Sequence, residues 1–378
     1  MKTRRSNGVK VVVVSRSKPK SPKERQMNQL KYIGMDVHKA MTVISVLNSE
    51  GKELAQAIIE TKSTTIIDFI HGQRGTLHVT FEEGTQAAWL YDLIRPHVAS
   101  VLVCDPRKIV TRGNKADKID ARRLAELLRT KGLTAVYHGE HSTRAVKELT
   151  RNYQEMMEDS TRVKNRLKAL FRARGIDCTG SAVYSPDERK TWTDKLEQAA
   201  VRARAGRLWE ELDALEKLCE QAEGDLKTEA RKHAAIKILQ GIPGIGPVRA
   251  AVILGIAGTP HRFRSKKQFW TYCGLAVTSK ITSEYQMVDG RISRSKKQPL
   301  VRGLNRNYSR TLKDVFKGAA KTAAAGAWKF HFDAMVANGQ GPPLALLTIA
   351  RKIASITLAL WKRGERYDQK KVEILHAA

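Results

Sequence analysis

The sequence predicts an α/β domain followed by helical segments, and three observations carry that expectation. Short apolar strands alternate with helical patterns over roughly residues 29–140; strands then give way to long apolar stripes over 141–235; and a basic, mostly helical segment over 236–365 contains a glycine- and proline-rich turn at 241–247. A basic arm over residues 1–28 and a tail over 366–378 flank them.

The arm holds Lys2, Arg4, Arg5, Lys10, Arg16, Lys18, Lys20, Lys23 and Arg25 against Glu24, with Pro19 and Pro22 interrupting it, which reads as disordered chain. From Tyr32 the pattern changes. YIGMD and MTVISVLN read as strands joined by a tight turn, and Ser49-Glu50-Gly51-Lys52 as a hairpin into ELAQAIIET. Ser63 or Thr64 is placed to cap a helix through IIDFIHG. TLHVTFE is a strand, QAAWLYDLIRPH a helix, SVLVCD a strand, and a helix runs through LAELL. The order βββαβαβα is that of a ribonuclease H-like domain.

In the middle region Val146, Leu149, Tyr153, Met156, Ser160, Val163, Leu167 and Leu170 recur at steps of three and four, as do Leu208, Leu212, Leu215, Cys219, Ala222 and Leu226. Two long helices with coiled-coil seams follow, broken at Gly175 and at Ser185-Pro186, consistent with an antiparallel hairpin or a dimerising arm.

Net charge is the strongest global signal. Lys and Arg number 68 against 38 Asp and Glu, a formal +30, and a chain so charged repels itself unless a polyanion offsets it. Nucleic acid is the expected partner. Cys104, Cys178, Cys219 and Cys273 are scattered without CxxC spacing, so neither a disulfide framework nor a zinc site is indicated, and a reducing cytoplasm is the natural setting. No stretch approaches the run of apolar residues a membrane span needs, so no membrane partner is expected.

Four acids stand out. Asp36 closes the first strand and Glu82 the strand TLHVTFE, with Glu83 next to it; neighbouring strand residues face opposite sides, so only one of the two glutamates shares a side with Asp36. Asp117 and Asp120 are three apart at the start of a helix, on one face, where negative charge also suits the helix dipole. Capping accounts for one of them comfortably and for two less well, whereas hard oxygen ligands on strand ends and a helix are what one or two Mg²⁺ (or Mn²⁺) ions require for an in-line phosphodiester displacement. Gly241-Ile242-Pro243-Gly244-Ile245-Gly246-Pro247 fits a helix-hairpin-helix turn whose backbone N–H groups meet a phosphate through Gly244 and Gly246, and equally an ordinary turn between helices. Arg291, Arg294, Lys296, Lys297 and Arg302 supply phosphate-neutralising charge, or a solvated face.

YIGMDVHK, FEEGTQAAWLYDLI and GNKADKIDARRLAELLR, followed in order by LQGIPGIGPVRAAVILG and FWTYCGL, resemble the DEDD transposases of the insertion-sequence 110 family, over about residues 30–365. The resemblance implies a first domain like the Holliday-junction resolvase RuvC and a C-terminal transposase domain. It implies a metal-binding set of Asp36, Glu82, Asp117 and Asp120, with Glu82 preferred to Glu83. It further implies a nucleophilic serine after the pair Gly274-Leu275 and seven residues before Gly290, which selects Ser283 over Ser279 and Thr282. Where the family commonly continues with Gly-Asn, this chain has Gln298-Pro299, which loosens the correspondence beyond Gly290.

Implied with it are a phosphoserine-linked recombination of target and donor DNA, guidance by a structured noncoding bridge RNA, a dimer or tetramer in which the acids and the serine come from different domains, and action in the bacterial cytoplasm at the nucleoid. Two rival readings compete: a metal-only nuclease or junction resolvase that uses water, and a non-catalytic nucleic-acid-binding scaffold.

Overall fold

The structure is a computed structural model; it describes residues 3–6, 9–13, 30–109, 117–138, 143–280, 285–288, 290–294 and 300–369. The chain divides into two compact units, residues 1–138 and 139–378.

The first unit is built on a mixed sheet of β1 (Thr3–Ser6), β2 (Val9–Val13), β3 (Leu30–Val37), β4 (Met41–Asn48), β5 (Glu53–Glu60), β6 (Thr76–Glu82) and β7 (Ser100–Cys104), in the order β1-β2-β5-β4-β3-β6-β7. Strands β3 to β5 form the expected antiparallel meander, and β6 and β7 join β3 in parallel. Within the arm expected to be disordered, β1 and β2 pair with each other, and β2 extends the sheet by pairing with β5.

Helices α1 (Ser63–His71) and α2 (Ala87–Ile94) cover one face of the sheet. Ile66, Phe69, Ile70, Leu90 and Ile94 meet Ile33, Met35, Ile44, Ile59, Val79 and Phe81 in a dry core. Burial of each large side chain there contributes about 2 kcal/mol. The expected cap of α1 is not formed: Ser63 is already helical, Lys62 holds the extended cap position, and no side chain caps the helix there.

The opposite face is covered by α3 (Asp117–Arg129). Gly34, in mid-strand, lets this helix approach; a Cβ at Gly34 would collide with the Ala121 carbonyl and the Ala125 nitrogen. A glycine in a strand interior costs strand propensity, and this close backbone approach is what it gains.

In the second unit α4 (Arg144–Arg172) and α6 (Ala199–Arg231) run antiparallel, joined by a connection that includes α5 (Arg189–Asp194). Lys164 pairs with Glu216, and Arg166 with Glu211. Their stripe positions Val163, Leu167, Leu170, Leu208 and Leu212 are buried together with Phe171, Trp192 and Trp209.

A larger core gathers the remaining helices: α7 (Ala234–Gln240), α8 (Pro247–Ala257), α9 (Lys266–Tyr272), α10 (Arg310–Ala325), α11 (Lys329–Ala337) and α12 (Pro342–Arg363). Helix α12 is long and apolar enough to cross a membrane by length and composition. Its Ile349, Ile353, Leu358 and Trp361 are buried against Leu312, Phe316 and Phe269 in that core. Between α9 and α10, where a mostly helical segment was expected, the chain forms two antiparallel ladders: β8 (Val277–Lys280) with β11 (Leu300–Leu304), and β9 (Tyr285–Val288) with β10 (Arg291–Arg294).

Candidate active site

Strand register brings the first two acids together. Met35 pairs with Phe81 across β3 and β6, and both side chains enter the core. The next residue on each strand, Asp36 and Glu82, therefore faces the other way, toward the side that α3 covers.

The direction of α3 follows from its far end. Arg129 donates from Nη1 to the Ser49 carbonyl oxygen in the β4–β5 turn, while Asn48 pairs with Lys31 at the start of β3. With Ala121 over Gly34, the helix runs antiparallel to β3, and its N-terminus lies toward Asp36. Distances along the two elements agree: four helical residues from Ala121 back to Asp117 rise about 6 Å, and two strand residues from Gly34 to Asp36 advance about 6.6 Å. The backbone of Asp117 thus stands level with Asp36, and Asp120, half-buried, lies one turn further along. The Asp117 side chain lies outside the described residues.

Glu83 is engaged elsewhere. Its Oε2 is 2.6 Å from His138 Nε2, and the His138 ring stacks on Tyr91 of α2 with centroids 5.2 Å apart. Tyr91 packs against the core on the α1 and α2 side, so the glutamates point to opposite faces, as alternation requires.

His38, which sequence reasoning did not single out, lies beside Asp36. His38 Nε2 is 3.3 Å from Asp36 Oδ2. The turn that carries it is fixed by the His38 N–H donating to the Met41 carbonyl and the Thr61 hydroxyl donating to the His38 carbonyl. His38, Lys39, Glu82, Thr85 and Gln86 line a cavity of about 530 Å³ with Val37, Phe81 and Leu90 as its apolar wall. The signal was available, since His38 and Lys39 stand in a tight turn directly after a strand-end aspartate. Asp105, which follows β7, accepts from the Arg107 backbone and guanidinium, and that guanidinium holds its carboxyl below the usual carboxylate range.

No group of three or more His, Cys, Asp or Glu side chains is gathered to hold a metal among the described residues. The donor types nonetheless suit a hard cation, with carboxylates on two adjacent strand ends and in the first turn of a helix, and of these Glu82 lines the cavity.

In the second unit the turn after α7 has two glycines in different circumstances. Gly244 has φ +78° and packs on α10, where a Cβ would strike the Ala319 carbonyl; its own carbonyl accepts from Arg249 Nη1 at 2.7 Å. Packing explains that glycine. Gly246 caps α8 in extended conformation, with open space where a Cβ would be.

Ser283, Thr282, Lys296 and Lys297 lie outside the described residues. Arg291 is exposed on β10, Arg294 closes that strand, and Arg302 is on β11. Ser279 is on β8, paired with Val301.

Two transposase family models match the chain, a DEDD transposase model of IS110 over residues 33–173 and the IS116/IS110/IS902 transposase model over residues 236–306. The chain is 24% identical over 270 residues to a probable family 20 transposase of Pseudomonas aeruginosa, covering 70% of this chain and 79% of that protein. It is 21% identical over 350 residues to the transposase for insertion sequence element IS1111A of Coxiella burnetii, covering 91% and 93%. With the transposase for insertion sequence element IS1533 of Leptospira borgpetersenii the identity is 27% over 179 residues, covering 45% and 51%.

Proposed function

Because the chain belongs to the insertion-sequence 110 family of DEDD transposases, we propose that it cuts and rejoins target and donor DNA through a serine-linked intermediate, with Ser283 as the nucleophile and Asp36, Glu82, Asp117 and Asp120 as the metal ligands. The observation that carries the acidic half is the register of β3 and β6, which puts Asp36 and Glu82 side by side under the N-terminal end of α3.

Asp36 and Glu82 are held by core strands and Asp120 by a helix clamped on Gly34, so these carboxylates would be presented to a cation from nearly fixed backbones, with Asp117 as the fourth ligand. When bound there, Mg²⁺ (or Mn²⁺) supplies charge for the attacking and leaving oxygens of the displacement. The Ser283 hydroxyl passes its proton to a base and bonds to phosphorus as the bond from phosphorus to the 3′- or 5′-oxygen of the strand breaks, that oxygen taking up a proton to leave as a hydroxyl; in the return step a strand hydroxyl gives its proton to the base and attacks phosphorus, and the serine oxygen leaves and is reprotonated. A serine is a weak nucleophile near neutral pH, so a neighbouring base or cation must activate it.

The surplus of cations fits a second polyanion beside DNA, and we assign it to a structured noncoding RNA whose base pairing reads the target and donor while the protein grips backbones. The functional assembly contains more than one copy of the chain and works in the cytoplasm on nucleoid DNA.

A covalent-capture assay tests the reading. With DNA carrying the element's ends, the noncoding RNA transcribed beside them and Mg²⁺, the native chain should form a denaturation-resistant adduct that Ser283→Ala abolishes. Strand breaks without an adduct would replace the serine by water. An adduct that survives Ser283→Ala moves the nucleophile to Ser279 or Thr282. Full activity in Asp36→Ala and Asp120→Ala would leave the acids as caps and turns.

A further inference from the structure

The β9–β10 ladder presents its apolar residues outward. Met287 and Ile292 are directly opposite each other across the two strands, and Tyr285 is two residues from Met287 on the same face. Their exposures are 71%, 75% and 62%. On the reverse face Val288 stands opposite Arg291, and both are exposed. A two-stranded ladder is marginal in water on its own, and a cross-strand apolar pair this exposed leaves most of its surface to be covered by something else.

What covers it follows from position and charge. Ser283 is two residues before Tyr285 and four before Met287, so about 7 Å and at most about 14 Å of extended chain separate the nucleophile from this face. A phosphodiester within reach of Ser283 is therefore within reach of the ladder. From Lys280 to Arg302 the sequence carries Lys280, Arg291, Arg294, Lys296, Lys297 and Arg302 against Glu284 and Asp289, a balance that favours a polyanion over an apolar protein surface. A two-stranded ribbon fits a nucleic-acid groove, and apolar side chains at a groove act by entering a base step and unstacking it.

We propose that the β9–β10 ladder is a wedge: Met287 and Ile292 enter the base stack of the DNA next to the scissile phosphodiester, opening it for attack, while Arg291 holds the backbone. The inference rests on Ser283 as the nucleophile. Opening a step costs a few kcal/mol, which a distorted or already unpaired step would reduce, so the wedge also favours junction-like DNA over plain duplex.

The test uses DNA carrying the element's ends with single 2-aminopurine substitutions across the cleavage region, the noncoding RNA and Mg²⁺, and compares the native chain with Met287→Thr/Ile292→Thr, Met287→Leu/Ile292→Leu and Ser283→Ala. Threonine keeps strand preference and removes most of the apolar surface. The native chain should raise 2-aminopurine fluorescence at one or two steps beside the cleaved bond. The threonine pair should remove that rise and slow cleavage about tenfold, with DNA affinity and its salt dependence nearly unchanged, and the leucine pair should restore both. Ser283→Ala should keep the fluorescence rise while losing the adduct; an adduct that persists there defeats the nucleophile assignment alone. The wedge is overturned if the native chain gives no rise, if the threonine pair keeps it, if the rise appears only with the probe in the RNA, or if the threonine pair instead dissociates the oligomer in sedimentation, which would make the face a contact between copies.

Discussion

The strand ends of the seven-stranded sheet, which carry the proposed metal ligands, and the β9–β10 ladder, proposed as a wedge, are built in opposite ways. Asp36 and Glu82 stand at the ends of strands whose preceding residues, Met35 and Phe81, are fully buried, so any displacement of either acid must also disturb the core. The ladder turns Met287 and Ile292 outward and, among the described residues, contributes none to a core. A metal site needs ligands held nearly still before the metal arrives, whereas a surface that meets a deformed duplex gains from adapting to it. Rigidity is thus assigned by where apolar side chains point.

The contrast can be broken from the rigid side first. Asp36→Ala and Asp120→Ala should each lower strand cleavage by about a thousandfold, the loss of several kcal/mol of charge stabilisation, while thermal unfolding stays within a degree or two of the native chain. Glu82→Gln should follow them. Glu83→Gln, which only loosens a contact to His138, should retain most activity, and equal losses for the two glutamates would remove the basis for separating them.

Gly34→Ala comes next and acts through stability. Its new methyl group has no room against α3, so a loss of about 3 kcal/mol is expected in urea unfolding, with activity falling because α3 lifts from the sheet. Gly244→Ala should cost a similar amount, through positive φ and the Ala319 backbone together. Gly246→Ala should fold like the native chain, so any loss of DNA binding at that position would be a local effect on phosphate contact.

The smallest effects are chemical. Burial pushes the Cys104 thiol up to about 11 and the Cys273 thiol higher still, so neither should react with iodoacetamide at pH 8 in the folded chain, while half-exposed Cys219 should react slowly. Asp105, held below the usual carboxylate range by Arg107, contributes stability that is present above about pH 4 and is lost as pH falls through its depressed folded value. Asp105→Asn should therefore lower stability at pH 7 and converge with the native chain in acid.

Much of the first unit could be read from the sequence because period and punctuation agree there. The β3–β4–β5 meander, the alternating helices and the strand-end acids fall where apolar runs and turn residues placed them. Glu82 could not be separated from Glu83 by sequence alone, since the distinction lies in register with β3, a long-range pairing that no local pattern encodes. The α1 cap failed for a related reason: Ser63 has the right chemistry, but the chain leaving β5 through Thr61, tied to Thr42, enters the helix one residue earlier. The ladders between α9 and α10 were missed because strands of four and five residues, rich in Lys, Arg and Ser, carry neither a long apolar run nor a clean alternation. Gly34 was legible and overlooked, as a mid-strand glycine one residue before a core methionine.

The clamp of α3 on Gly34 also defines how the chain tolerates insertion and deletion. Ala121 is the fixed point from which the position of the helical acids along the sheet is set. One residue added between Asp120 and Ala121 turns Asp120 by about 100° around the helix relative to the face that meets Gly34. Length is therefore fixed within the helix's first turn, and the spacing of the acid from Ala121 functions as a mechanical gauge measured from a glycine on a different element.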